Sequence, residues 1–255
     1  MRTSCNQSLK QKLKKPAIVL VWLFLWQIAS VWLGHELLLV SPLRTAETLF
    51  YLIQEMDYWY SIGITLFRIM LGFLLAFAFG MIFAFLAWRI PPVYDFLAPM
   101  ISVMKATPVA SFIILALLWV GSSHISTLCS FVMGMPIIYS NVYQGLSNID
   151  GKLLEVGQIF RMSRKRQITE IFIPSLKPHL MSAIMVGIGF CWKSGVAAEV
   201  IGLANNTIGV HLYNAKVYLE TADLFCWTVV IVLLSVACEK LLMLLFNRAE
   251  RWALR

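Results

Sequence analysis

The feature that most constrains this chain is a series of apolar runs long enough to cross a lipid bilayer, with very few charges inside them. Six stand out, at about 16–38, 62–88, 96–120, 124–146, 176–198 and 224–247. A hydrocarbon core of roughly 30 Å needs about 20 apolar residues in a helix. Within it every backbone N–H and C=O must be satisfied internally, which leaves helices or closed barrels. Runs of this length predict helices. Composition agrees: 60% of the 255 residues are hydrophobic and 13% charged, whereas soluble domains hold about 25% charged residues. The expectation is an all-α integral membrane protein of six transmembrane helices. The third run is the weakest, because Pro99, Lys105 and Pro108 interrupt it.

The placement of charge gives an orientation. Lys and Arg gather in the N-terminal tail (Arg2, Lys10, Lys12, Lys14, Lys15), the second connection (Arg89, Lys105), the 150–177 connection and the C-terminal end (Lys240, Arg248, Arg251, Arg255). The opposite connections carry only Arg44 and Lys216. Basic loops stay in the cytoplasm, so both termini and the 150–177 connection are expected there. The net charge of +8 therefore reflects topology, and no nucleic acid is implied. The N-terminal run exceeds a signal-peptide core and lacks a small-residue cleavage site, so it reads as a retained span. Cys5, Cys129, Cys191, Cys226 and Cys238 are scattered singly and the four histidines are dispersed. That pattern predicts no disulfide framework, redox motif or metal site.

Outside the spans, SPLRTAETLFYLIQEMDYW predicts an interfacial helix, and ANNTIGVHLYNAKVYLETAD a short re-entrant or surface helix. Two spans carry small residues every fourth position: Gly72, Ala76, Gly80, Ala84 and Ala183, Gly187, Cys191, Gly195. Such stripes let membrane helices approach closely, within a subunit, across a dimer or along a transport path.

The basic stretch EVGQIFRMSRKRQITEIFIP (155–174) is the most informative polar segment. Asp150 or Ser147 can cap a helix starting near Gly151, with Leu153, Val156 and Phe160 on one face. Ser163 can cap a second short helix to about Phe172, which Pro174 is expected to stop. Charge alone allows a topology anchor or contact with anionic lipid headgroups. The apolar faces add a groove on a partner protein as a third destination. The chain has no G-x-x-x-x-G-K-[ST] run, so no phosphate-binding loop of its own is expected.

Within the apolar spans three ionisable residues stand out, and such residues are costly there. Arg68 can snorkel or pair. Lys193 can attract an anionic substrate or pair with an acid from another helix. Glu199 lies six residues on, so the two do not share a helical face. No convergent His, Asp, Glu or Cys cluster suggests a membrane enzyme.

Several stretches resemble the permeases of bacterial ABC importers, in particular the nitrate, sulfonate and taurine branch. TLFRIMLGFLLAFAFGMIFAF (65–85) is similar to the start of that permease domain, ATPVASFIILALLWVG (106–121) to its proline-containing third span, and GVAAEVIGL (195–203) to its A-A-E-x-I-G stretch. The 155–174 block resembles the family's coupling loop. Glu155, Val156 and Gly157 stand at its E-A-A positions and Ile171 to Pro174 at its I-x-L-P end, while Arg161 stands where the family has glycine. Run length and charge give a basic tail, first span and outer segment over 1–60 and a basic tail over 248–255; the resemblance implies a permease domain over 61–247 with its coupling loop at about 147–174. It implies ATPase coupling through Glu155, Val156, Gly157, Phe160, Arg161, Ser163, Ile171 and Pro174; Arg68 and Glu199, which match the family's arginine and glutamate, and Lys193, from its charge, are the candidate translocation-path residues.

The implied partners are a pair of ATPase subunits that bind ATP and magnesium, an extracytoplasmic substrate-binding protein, a second permease copy and membrane lipid, in a bacterial inner membrane. The chain itself is expected to be neither an enzyme nor a cofactor carrier. The implied cargo is a small sulfonate, taurine or nitrate-like anion, with a thiamine-pyrimidine precursor or other small heterocycle as an alternative. An ion-driven secondary transporter or membrane scaffold is the alternative class; the first would favour an internal repeat, and none is evident.

Overall fold

The computed structural model describes residues 2–35 and 37–253, with side chains described for 17–35 and 37–248. The side chains of Cys5 and of the tail basics Arg2, Lys10, Lys12, Lys14, Lys15, Arg251 and Arg255 lie outside the described residues. Every regular element among the described residues is a helix: α1 (Arg2–Leu33), α2 (Pro42–Leu52), α3 (Met56–Arg89), α4 (Pro91–Ala106), α5 (Val109–Val120), α6 (Ile125–Ser147), α7 (Gly151–Ile159), α8 (Arg164–Gln167), α9 (Ile173–Gly202), α10 (Ile208–Val217) and α11 (Thr221–Ala253). One π turn, Ile168–Phe172, joins α8 to α9.

Four helices among the described residues are long and apolar enough to cross a membrane: Met56–Arg89, Ile125–Ser147, Arg164–Gly202 and Thr221–Arg248. The third expected span is not straight. α4 and α5 meet at a bend of 106°, at Thr107 and Pro108, both in extended conformation. Pro108 has no N–H to continue a helix and disfavours helical geometry in the residue before it. The pair supplies a fifth crossing if it is counted as one span. The apolar part of α1, Ala17–Leu33, sits at the short end of the spanning range. Six crossings thus require both the bent pair and α1 to serve as one each.

The proline expected to stop a helix does not stop it. Pro174 lies in the first turn of α9, and the chain runs as one helix from Arg164 to Gly202. The intervening π turn has the Ile173 N–H donating to the Ile168 carbonyl, five residues back. A widened turn relieves the clash between a proline ring and the carbonyl four residues before it.

Two compact units emerge, Met1–Trp59 with His211–Val230, and Tyr60–Val210 with Ile231–Arg255. The first holds α2, the expected interfacial helix. Ser41 caps it by accepting from the Arg44 N–H, and Pro42 opens its first turn. Leu43, Phe50 and Tyr51 stay exposed on it. In the same unit His211 stacks on the buried Trp227 ring (4.7 Å), Tyr58 packs on Trp227 (5.0 Å) and Trp26 on Phe225 (5.8 Å).

The larger unit is built on α3, α6 and α9, and the small-residue stripes make its core. A Cβ added to Gly72 would lie 2.6 Å from both Ser130 Cβ and the Thr127 carbonyl; one added to Gly195 would meet Ser130 Oγ at 2.6 Å and Ile69 Cγ1 at 2.7 Å. Between α6 and α9, Ser130 Oγ donates to the Cys191 carbonyl (3.0 Å) and Cys191 Sγ–H donates to the Ser130 carbonyl (3.2 Å). Ile69, Ala76, Ile138, Ile188 and Cys191 are fully buried there. The stripes therefore serve packing inside this subunit. α11 instead leaves Val232, Leu233, Val236, Leu241, Leu244 and Leu245 exposed, as a lipid-facing helix does.

Gly72→Ala should lower the thermal midpoint of the detergent-purified protein, because overpacking costs about 1–3 kcal/mol. Gly63, on the same helix with open space where a Cβ would stand, is the control: Gly63→Ala should leave the midpoint unchanged or raise it, by up to about 1 kcal/mol in stability. Differential scanning fluorimetry checks both.

Candidate functional site

The 147–174 segment folds as two short helices at a sharp elbow. Asp150 is the cap of α7, its carboxylate accepting from the Lys152 N–H at 2.9 Å. Ser163 caps α8 by accepting from the Arg166 N–H at 3.4 Å. Glu155 is the fifth residue of α7, so the carboxylate nearest the helix dipole's positive end belongs to Asp150 and not to Glu155. Glu155 is exposed and makes no ion pair or side-chain hydrogen bond among the described residues.

Arg161 resolves how the elbow turns without a glycine. Its φ is +49°, in the left-handed region. The Arg161 N–H donates to the Gln158 carbonyl and the Met162 N–H to the Gly157 carbonyl, both at 2.9 Å. These are the paired 5→2 and 6→1 bonds of a Schellman helix end, whose C′ residue is usually glycine. Arg161 takes that conformation at the usual steric cost to an L residue, with its side chain in solvent.

Gly157 sets the closeness of the two arms. It is buried, and a Cβ there would stand 3.2 Å from Ile171 Cδ1. Ile171 is itself 6% exposed. Gln167 Nε2 donates to the Met162 carbonyl across the elbow (3.2 Å), and Arg166 pairs with Glu170 (2.8 Å). The inner face is thus closed, while the outer face is open: Leu153, Val156, Ile159, Phe160 and Ile168 are all exposed, Phe160 at 75%. Pro174 is exposed as well.

The predicted path residues separate. Glu199 is 0% exposed near the end of α9. Its Oε2 accepts from the Thr65 hydroxyl (2.9 Å) and the Gly209 N–H (3.3 Å), and Thr65 Oγ1 in turn accepts from the Ile208 N–H (3.0 Å). In the first turn of α10 the Gly209 N–H thus donates to the carboxyl group directly, while the Ile208 N–H reaches it through the Thr65 hydroxyl. Arg68 is half-buried on α3, and its backbone carbonyl accepts from Thr127 Oγ1 (3.1 Å). Lys193 points away from this cluster: it is exposed, with its ammonium 5.7 Å from the Phe190 ring centre. Sequence reasoning missed Thr65 and Gly209, whose roles depend on an encounter 134 and 10 residues from Glu199. A column of rings, Tyr94 on Tyr143 (4.9 Å) and Tyr143 on Tyr139 (5.9 Å), joins α4 to α6.

A bundle of membrane-length helices, bearing an elbow whose apolar outer face is exposed, defines a multi-span helical membrane protein. Its family is established by comparison: residues 76–252 match the binding-protein-dependent transport system inner membrane component family, and the chain belongs to it. A protein of Bacillus subtilis named as an aliphatic sulfonates transport permease, SsuC, is 23% identical over 93% of this chain and 85% of its own length. The taurine transport system permease protein TauC of Escherichia coli is 24% identical over 92% and 86%. A chain from inward-facing structures of the MetNI methionine ABC transporter shares the fold, with a TM-score of 0.53 and 15% identity, covering 77% of this chain and 97% of that one. The protein is thus an ABC transporter permease, a multi-pass component of a membrane transport system.

Arg161→Gly should tighten the elbow by about 1 kcal/mol, since it removes the left-handed cost. Amide exchange at Arg161 and Met162 should slow roughly fivefold. Glu199→Ala strands the buried Thr65 and Gly209 donors at a cost of about 1–3 kcal/mol, read as a lowered thermal midpoint.

Proposed function

We propose that this permease imports a small anion of the sulfonate, taurine or nitrate kind by alternating access, driven by ATP hydrolysis in a separate pair of ATPase subunits. The observation that carries the reading is the elbow: α7 offers an unpartnered apolar face and is locked at its other face onto the start of the Arg164–Gly202 helix. That helix is about 58 Å long at 1.5 Å per residue. A displacement of α7 by a docked partner is therefore delivered to a helix that carries Lys193 and Glu199 toward its other end. ATP and magnesium belong to the ATPase partner, and this chain's part is mechanical and selective.

The ATPase-coupling surface is Glu155, Val156 and Phe160 on the open side, with Gly157, Arg161, Ser163, Ile171 and Pro174 shaping the elbow beneath them. Glu155, exposed and unpaired, is available to a basic residue of the ATPase. The side of the membrane follows from charge. Arg89 at the end of α3 and Arg164 at the start of α8 line one groove, so the basic ends of two connections meet on one side. That side is the cytoplasmic one by the positive-inside rule, with both termini there and a substrate-binding protein docking opposite.

Lys193 supports an anionic cargo. A lysine exposed within an apolar span is costly against lipid, so its open face belongs to a water-lined path, made when a second copy of the chain packs beside the first. Arg68 and Glu199 border that path, with Glu199 holding the α9–α10 turn. The bacterial inner membrane is the matching location.

Glu155→Ala should leave membrane insertion intact while reducing ATPase copurification and solute uptake by at least tenfold if about 1.4 kcal/mol or more of docking energy is lost. Unchanged copurification and uptake would overturn the coupling role. Lys193→Glu should abolish uptake of a sulfonate without altering ATPase copurification. Full uptake by the chain alone in liposomes lacking ATP would overturn the whole reading.

A further inference from the structure

We infer that a groove at the base of the elbow is a binding site for one anionic phospholipid. The groove has a volume of about 530 Å³ and is lined by Phe85, Trp88, Arg89, Leu146, Arg164, Gln167, Ile168, Phe172 and Leu176. It has two chemical ends. Arg89 and Arg164 are exposed, and neither makes an ion pair among the described residues. No acid is among the lining residues, so the charge of the groove is complementary to a phosphate. The remaining lining is apolar except for Gln167, with Phe85 and Ile168 each 52% exposed.

The two guanidinium groups stand where an apolar helix ends. Arg89 is the last residue of α3 and Arg164 the first of the Arg164–Gly202 helix. Arg89 thus lies at the boundary between hydrocarbon and water, where the neighbouring Trp88 is an enriched residue type, and Arg164 lines the same groove from the elbow. Trp88 is braced edge-on against Phe172, ring centres 6.0 Å apart. A phosphodiester on the arginines with an acyl chain along Phe85, Ile168 and Leu176 would match both ends at once. A free phosphate uses only the arginines and leaves the apolar wall in water. Planar guanidinium groups suit phosphate oxygens through paired N–H donors.

The site matters for the elbow because Ile168 and Phe172 belong to the π turn that joins α8 to α9. A lipid seated there bridges α3 to the coupling element. The inference rests on the chain's being a membrane permease and is independent of the solute it carries.

The test is native mass spectrometry of the detergent-purified, delipidated full chain, titrated with phosphatidylglycerol and phosphatidylcholine of identical acyl chains. Phosphatidylglycerol should bind about tenfold tighter, given two basic contacts to its headgroup. In Arg89→Gln/Arg164→Gln the preference should fall to within roughly twofold, while Lys216→Gln, which does not line the groove, should keep it. Equal binding of the two lipids by the wild type, or an undiminished preference in the double variant, would overturn the site. So would displacement of the lipid by millimolar glycerol phosphate, which would mark the groove as a free-phosphate site. Thiol labelling of Lys165→Cys from either face of sealed vesicles fixes the orientation separately, so failure of the topology and failure of the lipid site are distinguishable.

Discussion

The close approach of α6 to α9, made possible by small side chains, is the interaction on which the rest of this structure depends. Ser130 and Cys191 exchange hydrogen bonds with each other's carbonyls across that seam, and Gly134 meets Cys191 Sγ so closely that any side chain there would have to displace it. In lipid there is no hydrophobic gain from bringing two apolar helices together, so contact distance and paired polar groups must supply the attraction. α3 then fits against both helices at Gly72 and Gly195, with Ile69 and Ile138 filling the space between. Larger residues would hold the helices apart and forfeit the dispersion contacts that grow steeply at short range.

With that seam closed, the two ends of α9 are set. At one end Glu199 accepts from the Thr65 hydroxyl of α3 and the Gly209 N–H of α10, and Thr65 accepts from the Ile208 N–H. A buried carboxylate so placed ties together three elements that sequence alone keeps far apart. At the other end the same helix runs through a π turn into the elbow without a break. The elbow is closed inward by Gly157 against Ile171 and open outward along Val156 and Phe160. The elbow thus has two unlike faces: one packed against the start of the Arg164–Gly202 helix, the other left uncovered.

Lys193 illustrates how burial separates roles that sequence groups together. Arg68, Lys193 and Glu199 are all ionisable residues in apolar helices. Only Lys193 stays open, because position 193 falls on the face of α9 opposite Cys191 and Ser194. Arg68 and Glu199 fall toward the bundle, and Glu199 accepts hydrogen bonds from Thr65 and Gly209.

The sequence by itself determined the helical class, four of the crossings, the capping of α8 by Ser163 and the amphipathic face around Val156, and it narrowed the cap of α7 to Asp150 or Ser147. These follow from local quantities: run length, period and the hydrogen-bonding habits of short polar side chains. It also carried the family, through stretches spread along most of the chain. The bend of 106° at Pro108 and the passage of the helix through Pro174 were decided only in three dimensions, since a proline breaks a helix or is accommodated according to what the surrounding turns can relieve. The conformation of Arg161 was settled in the same way: residue type disfavours a left-handed φ, and the paired Schellman bonds together with the Gly157–Ile171 contact impose it. The partners of Glu199 belong to this second group too, because a long-range hydrogen bond leaves no periodic trace in the residues that make it.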